Sequence, residues 1–311
     1  MVQINFRDLR YLVAVADHEH FGRAAAACYV SQPTLSTQLK KLEQYLGVQL
    51  VERTNKQVML TPTGRTIAAR SRRILNDVTD IVETARAAGD PMSGELRIGL
   101  IPTVGPYLLP PMMPALTASY PGLRPLLYEE QTRHLLDRLH RGELDAAIMA
   151  TPVEDDGLHH ASLFNEPFYL AMPANHPLAE RDTIEMSDLE AEAILLLEEG
   201  HCLRDQALDV CNMVGAREEA AFRATSMETL KQMVAADLGM TLIPGLAAHT
   251  EAADETNKHL ALRPFRSRAP HRTLALYWRK GAAREPAITA VANVIRSLGA
   301  VERLTEPVTE G

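Results

Sequence analysis

The chain has 311 residues, a formal net charge of −8 and 23% charged residues. That length holds two or three domains with ample core. No apolar run approaches the roughly 20 residues that span a bilayer, and three cysteines without a CxxC pair argue against a disulfide framework or a zinc cluster. The opening Met-Val-Gln-Ile-Asn-Phe-Arg-Asp lacks the basic region, apolar core and cleavage site of a signal peptide. The expected compartment is therefore cytoplasmic, where a disulfide is more often transient than structural. Charge is unevenly spread: 11 Lys and Arg against 5 Asp and Glu through Leu75 give +6, and 21 against 35 in the remainder give −14. A basic module on an acidic body predicts that only the first quarter meets a polyanion.

In chain order, Leu9, Leu12, Val13 and Ala16 recur at helical spacing, as do Phe21, Ala24, Ala25 and Cys28, with Asp17-His-Glu-His20 between them. Cys28 falls on the packed face and reads as a small core residue. Ser31 is an N-cap with Pro33 in the first turn, and the third helix carries Leu35, Leu39, Leu42 and Leu46 up to Gly47. Its opposite face presents Gln32, Thr34, Thr37, Gln38 and Lys40 at the helix end that a helix-turn-helix points at base edges. Gln32, Pro33, Thr34 and Ser36 are the expected major-groove contacts, with Gln38 and Lys40 beside them. Leu50–Arg53 and Val58–Thr61 read as a two-stranded wing with a basic tip, where Arg53 and Lys56 reach phosphate or minor groove. Pro62 then opens a long helix to Ala88. Its seven-residue seam of Ile67, Ile74, Ile81 and Ala88, alternating with Ser71, Val78 and Ala85, predicts a partner helix and a homodimer; packing on its own chain is the competing reading.

Gly89-Asp-Pro-Met-Ser-Gly94 is a linker by composition. Beyond it, strand-like runs at 96–101, 123–128, 145–150, 168–172, 193–197, 240–243 and 273–278 alternate with helical patterns at 106–119, 132–141, 227–236 and 286–298. The expected class is α/β: a winged helix-turn-helix, a long linker helix, then a two-lobed, periplasmic-binding-protein-like regulatory domain of parallel sheets with crossovers. The expected domains are 1–61, 62–93 and 94–300, with 301–311 a disordered tail. Ligands of such sheets sit beyond the carboxyl ends of the strands. Thr103 and Thr132 follow the first two strands, either as cleft ligands or as helix caps.

Cys202 and Cys211 bracket Leu203–Val210. Were that segment helical, their α-carbons would lie roughly 13 Å apart on opposite faces, whereas a disulfide needs them within about 7 Å. Joining them would force the segment to unwind, which is the physical form of a redox switch. Two unrelated cysteines, one of them a core residue, is the plainer reading of the spacing alone.

The run Phe21-Gly-Arg-Ala-Ala-Ala-Ala-Cys28, then Ser31-Gln-Pro-Thr-Leu-Ser36, Leu42-Glu43, Leu46-Gly47, Leu50-Val-Glu-Arg53 and Leu60-Thr-Pro-Thr-Gly64, resembles the LysR-type transcriptional regulators. Ile98–Pro110, Gly200-His-Cys-Leu-Arg-Asp-Gln-Ala207, Phe222–Ser226 and Met240-Thr-Leu-Ile-Pro244 resemble the peroxide-sensing members of that family. The resemblance runs from about residue 5 to 298 and is weak over 247–259. It implies that hydrogen peroxide oxidises Cys202 to a sulfenic acid captured by Cys211. It also implies a pocket of Thr103, Thr132, His201 and Arg272, with Arg204 and Asp205 beside the sulfur. Implied partners are double-stranded DNA, RNA polymerase, a thiol reductant of the glutaredoxin or thioredoxin type, and further copies of the chain as homodimer and homotetramer. The expected output is control of antioxidant genes, and no cofactor, metal or membrane is called for. Chemistry agrees: a helix N-terminus and the cation of Arg204 favour the thiolate, which is the nucleophile. Three alternatives are weighed. A family member answering a small metabolite in the inter-lobe cleft would leave the paired cysteines unexplained. A thiol peroxidase would need a reductant-binding surface, and a zinc site on His201, Cys202 and Cys211 would need a fourth ligand.

Overall fold

Short polar caps and apolar faces set the N-terminal elements in the computed structural model of the chain, which describes residues 4–53, 58–87, 90–190, 192–252, 259–266 and 269–305. Helix α1 (Phe6–His18) starts on Asn5, whose side chain accepts from the Asp8 amide in a capping box. In α2 (Phe21–Ala27) the His20 ring caps the Gly22 and Arg23 amides. Helix α3 (Gln32–Leu46) is capped by Ser31 and closed by Gly47 in the left-handed region at φ 68°. Leu12, Val15, Ala24, Ala25, Cys28, Leu35, Leu39 and Leu42 form one core, so Cys28 is the packed residue its spacing predicts. Strands β1 (Val51–Arg53) and β2 (Val58–Leu60) pair antiparallel as the wing. The Thr61 hydroxyl then accepts from the Gly64 amide at 2.9 Å to start α4 (Pro62–Ala87). A Cβ at Gly64 would lie 2.0 Å from the Leu50 carbonyl oxygen, so only glycine lets this helix approach the wing. The wing tip, including Lys56, lies outside the described residues, as does the side chain of Arg53.

The chain divides into two compact units, one of Met1–Ala88 and His140–Gly142 and a larger one of Gly89–Leu139 and Glu143–Gly311. The larger unit begins with β3 (Gly94–Leu100), α5 (Gly105–Ser119), β4 (Leu123–Glu129), α6 (Thr132–Arg141, its last two residues assigned to the smaller unit) and β5 (Ala146–Ala150). Next come β6 (Leu158–Pro173), two short 3-10 turns at Pro177–Glu180 and Met186–Leu189, β7 (Ala193–Leu197), α7 (Cys202–Val214) and β8 (Arg217–Ala224). Last are α8 (Met227–Ala235), β9 (Thr241–Pro244), α9 (Gly245–Ala252), β10 (Leu260–Pro264), β11 (His271–Arg279), α10 (Glu285–Arg296) and α11 (Gly299–Thr305).

Strand β3 pairs parallel with both β4 and β5, and β7 with β8, as expected of strands joined by helical crossovers. The remaining strands depart from the all-parallel expectation: β6 runs antiparallel to β9, β10 and β11. Sixteen residues long, β6 pairs with β11 through Leu158–Pro167 and with β9 and β10 through Phe168–Pro173. One strand thus serves both lobes. Residues 158–167 escape a sequence reading because His159 and His160 are exposed and interrupt the apolar pattern. Strand β8 escapes it for its charged start, Arg217-Glu-Glu219. Residues 301–305 of the expected tail are helical instead: they belong to α11, which buries Val301 and Leu304.

Candidate functional site

Three turns leaving the carboxyl ends of parallel strands converge on one recess. The β3–α5 turn supplies Ile101, Pro102 and Thr103, the β4–α6 turn Gln131 and Thr132, and the β7–α7 turn Gly200, His201 and Cys202. The recess is tight and partly open to solvent. Gly200 takes φ +97°, a conformation that L side chains rarely adopt, and so turns the chain to place Cys202 at the first position of α7.

Arg272 sets the electrostatics. Its side chain is wholly buried and paired at 2.8 Å with Glu166, itself wholly buried. Glu166 also accepts from the Leu246 amide at the start of α9. The remaining nitrogens of Arg272 reach the Thr103 hydroxyl at 2.8 Å and the Thr103 carbonyl at 3.1 Å. Because the Thr103 oxygen accepts from Arg272, its own hydrogen is left to donate. The buried Thr132 hydroxyl has no other partner than the Cys202 sulfur, whose thiolate it favours. Two hydroxyl donors therefore sit on the wall beside the Cys202 sulfur.

Burial pushes the Cys202 thiol above the ordinary thiol range, against the Arg272 charge, the Thr132 hydroxyl and the Leu203 amide, which all favour the thiolate, and with Asp205 adding to the rise. Burial thus favours the Cys202 thiol, where the sequence predicts thiolate; desolvation outweighs the helix end and the cation. The cation differs as well. Arg204 turns from the sulfur and donates to the Leu197 carbonyl at 3.1 Å and to Glu218 at 2.7 Å, pinning the first turn of α7 to β7 and β8. Asp205 is exposed and does not line the recess. Of the expected pocket residues, Thr103, Thr132, His201 and Cys202 come together as lining, Arg272 joins them through Thr103, and Arg204 and Asp205 stay outside. Sequence reasoning missed Gln131 and Glu166. Glu166 carries no local signal, lying 106 residues from its partner. The buried Gln206 Oε1, without a hydrogen-bond partner, also went unread.

Cys211 is buried on the same unbroken helix, and burial and Glu218 raise its pKa too. Both cysteines are free, and a helical rise over nine residue steps separates them by roughly 13 Å. Among the described residues no group of three or more His, Cys, Asp or Glu could hold a metal ion, and no helix is long and apolar enough to cross a membrane.

In the N-terminal unit, Gln32, Pro33, Thr34 and Lys40 are exposed on α3, and Ser36 and Gln38 half-buried. The Thr34 hydroxyl lies 2.7 Å from that of Ser31, so it helps build the cap. Tyr29, 96% exposed in the turn before α3, is a further surface aromatic here.

Residues 6–65 match the family described as "Bacterial regulatory helix-turn-helix protein, lysR family", and residues 89–300 the "LysR substrate binding domain". The chain is 49% identical over 278 residues to a "Hydrogen peroxide-inducible genes activator" of Dickeya chrysanthemi, covering 89% of this chain and 90% of that one. It is 46% identical over 294 residues to the "DNA-binding transcriptional dual regulator OxyR" of Escherichia coli K12, covering 94% and 95%. A solved full-length OxyR variant from Pseudomonas aeruginosa matches with a TM-score of 0.76 at 38% identity, over 96% of this chain and 100% of that one. The chain belongs to the LysR family of bacterial helix-turn-helix proteins.

Proposed function

We propose that the protein is a DNA-binding transcriptional regulator that senses hydrogen peroxide through Cys202 and reports it by refolding around a Cys202–Cys211 disulfide. The observation that carries this reading is the pairing of Cys202, in a tight recess walled by two hydroxyl donors, with Cys211 on the same intact helix. Deprotonated Cys202 attacks one peroxide oxygen. An S–O bond forms as the O–O bond breaks, sulfur loses two electrons to become a sulfenic acid, and the leaving hydroxide takes up a proton as water. Thr103 and Thr132 donate to the peroxide, and the charge of Arg272, relayed by its bond to Thr103, stabilises the leaving hydroxide. The Cys211 thiol then displaces the sulfenic oxygen as a second water. That step requires α7 to unwind, converting a local reaction into a change of shape.

Gln32, Pro33, Thr34, Ser36, Gln38 and Lys40 are the proposed DNA face of α3, with Arg53 on the wing. Ile74, Ile81 and Val82, exposed along α4, suit a dimer seam with a second copy, and two dimers make the tetramer. RNA polymerase is the proposed downstream partner, a glutaredoxin- or thioredoxin-type thiol resets the disulfide, and the cytoplasm is the compartment. The small recess weighs against a metabolite as the signal.

The test is sulfenic-acid trapping with a carbon nucleophile on the Cys211→Ser variant. Peroxide should label Cys202 stoichiometrically, and an unlabelled Cys202 would defeat the proposal.

A further inference from the structure

Gln131 lines the recess but takes no part in the switch chemistry. It precedes α6, where its carbonyl accepts from the Leu135 amide at 3.1 Å. Its carboxamide lies flat against Gly200. A Cβ at position 200 would meet Gln131 Oε1 at 2.7 Å, Cδ at 3.0 Å and Nε2 at 3.1 Å. The amide thus occupies the space a side chain at 200 would take and lines the recess between the β4–α6 and β7–α7 turns. Both residues line the recess with Cys202. Backbone fixes Gly200 and buried partners fix Thr103.

We infer that the Gln131 side chain is a specificity wall, setting by bulk which hydroperoxides reach Cys202: it admits the two-oxygen oxidant and turns away hydroperoxides carrying a large organic group. The inference rests on the peroxide-sensing reading of this site. The chemistry is the same for every oxidant of the class. The sulfur–oxygen bond forms at Cys202 as the O–O bond breaks, sulfur is oxidised by two electrons, and RO⁻ leaves to be protonated as an alcohol, or as water when R is hydrogen. Only the space for R differs. Truncating Gln131 creates that space beside Gly200, whereas an unbranched side chain of equal length without the amide keeps it filled.

The experiment measures second-order rate constants for Cys202 oxidation in the full-length chain carrying Cys211→Ser, with hydrogen peroxide and with cumene hydroperoxide, in the Gln131 parent, Gln131→Ala and Gln131→Met. The readout is the ratio of the two rate constants, which a general loss of folding or of thiol reactivity does not move. The expected result is a ratio shifted toward cumene hydroperoxide by roughly tenfold in Gln131→Ala, the scale on which a hydrophobic pocket discriminates small changes of size, and left within about twofold in Gln131→Met. An unchanged ratio in Gln131→Ala would overturn the wall, and an equal shift in Gln131→Met would overturn bulk as its basis. If the parent failed to form a sulfenic acid with hydrogen peroxide, the peroxide-sensing reading itself would fall, an outcome distinct from either.

Discussion

Helices α3 and α7 are of similar length and both end on a left-handed glycine, Gly47 and Gly215, yet they begin in opposite ways. The start of α3 is closed: Ser31 accepts from the Thr34 amide, and Pro33 stands where its missing N–H costs nothing. The start of α7 is open. His201 occupies the cap position without a side-chain hydrogen bond, and Cys202 takes the first helical place. What holds that turn is Arg204, through a carbonyl and one carboxylate. A reading helix must present the same face at every encounter with DNA, whereas a sensing helix must be stable enough to keep two thiols apart and weak enough to be undone by one bond between them.

The largest effect expected from breaking this contrast is at the reactive sulfur. Cys202→Ser should abolish peroxide-dependent change in DNA footprint while leaving binding by the untreated protein; a footprint that still shifted would remove Cys202 from the account. Next is the buried ion pair that fixes Thr103. Glu166→Gln leaves Arg272 without its charge partner and should destabilise the larger unit by about 3 kcal/mol in urea unfolding. A loss well under 1 kcal/mol would mean that the pair is not what fixes Thr103. Ser31→Ala should cost about 1 kcal/mol at α3 and weaken DNA binding without touching the rate of Cys202 oxidation. Coupled losses in both would deny that the two helices act independently. The smallest is Glu218→Gln. Freeing Arg204 from a part-exposed carboxylate should lower stability by less than about 1 kcal/mol and speed the capture of oxidised Cys202 by Cys211 in stopped-flow. Slower capture would mean that Arg204 is not what holds α7 wound.

The pH dependence sharpens the same point. Burial raises the Cys202 pKa above the ordinary thiol value of 9.0, so its rate of oxidation should still be climbing as pH passes that value; a plateau near neutrality would show a stored thiolate. The sign for stability follows. A thiol whose folded pKa is raised contributes stability that is full below its unfolded value and lost as pH rises through the folded one. The larger unit should therefore loosen at alkaline pH, and less so in Cys202→Ser.

What could be read from the sequence follows how local the physics is. The ends of α3 lie in adjacent letters: Ser31 with Pro33, and Gly47. So does the separation of Cys202 and Cys211, because helical rise is a property of one segment. Strand β6 was half-legible, since pairing with β11 tolerates the exposed His159 and His160 that erase the alternation. The Glu166–Arg272–Thr103 chain joins three elements far apart in sequence, and no spacing announces it. Arg204 was misdirected for the same reason: two residues from Cys202 in sequence is near, but its guanidinium follows the carboxylate of Glu218. Gln131 became visible only once the fold laid it on Gly200.

The central claim is that one oxidant molecule joins two thiols that an intact α7 keeps apart. The direct measurement is peptide mapping by mass spectrometry after one equivalent of hydrogen peroxide is added to the reduced full-length protein. The account predicts an intramolecular Cys202–Cys211 disulfide, absent from Cys202→Ser. A Cys202 that stays free, or that bonds to a cysteine of another chain, would contradict it.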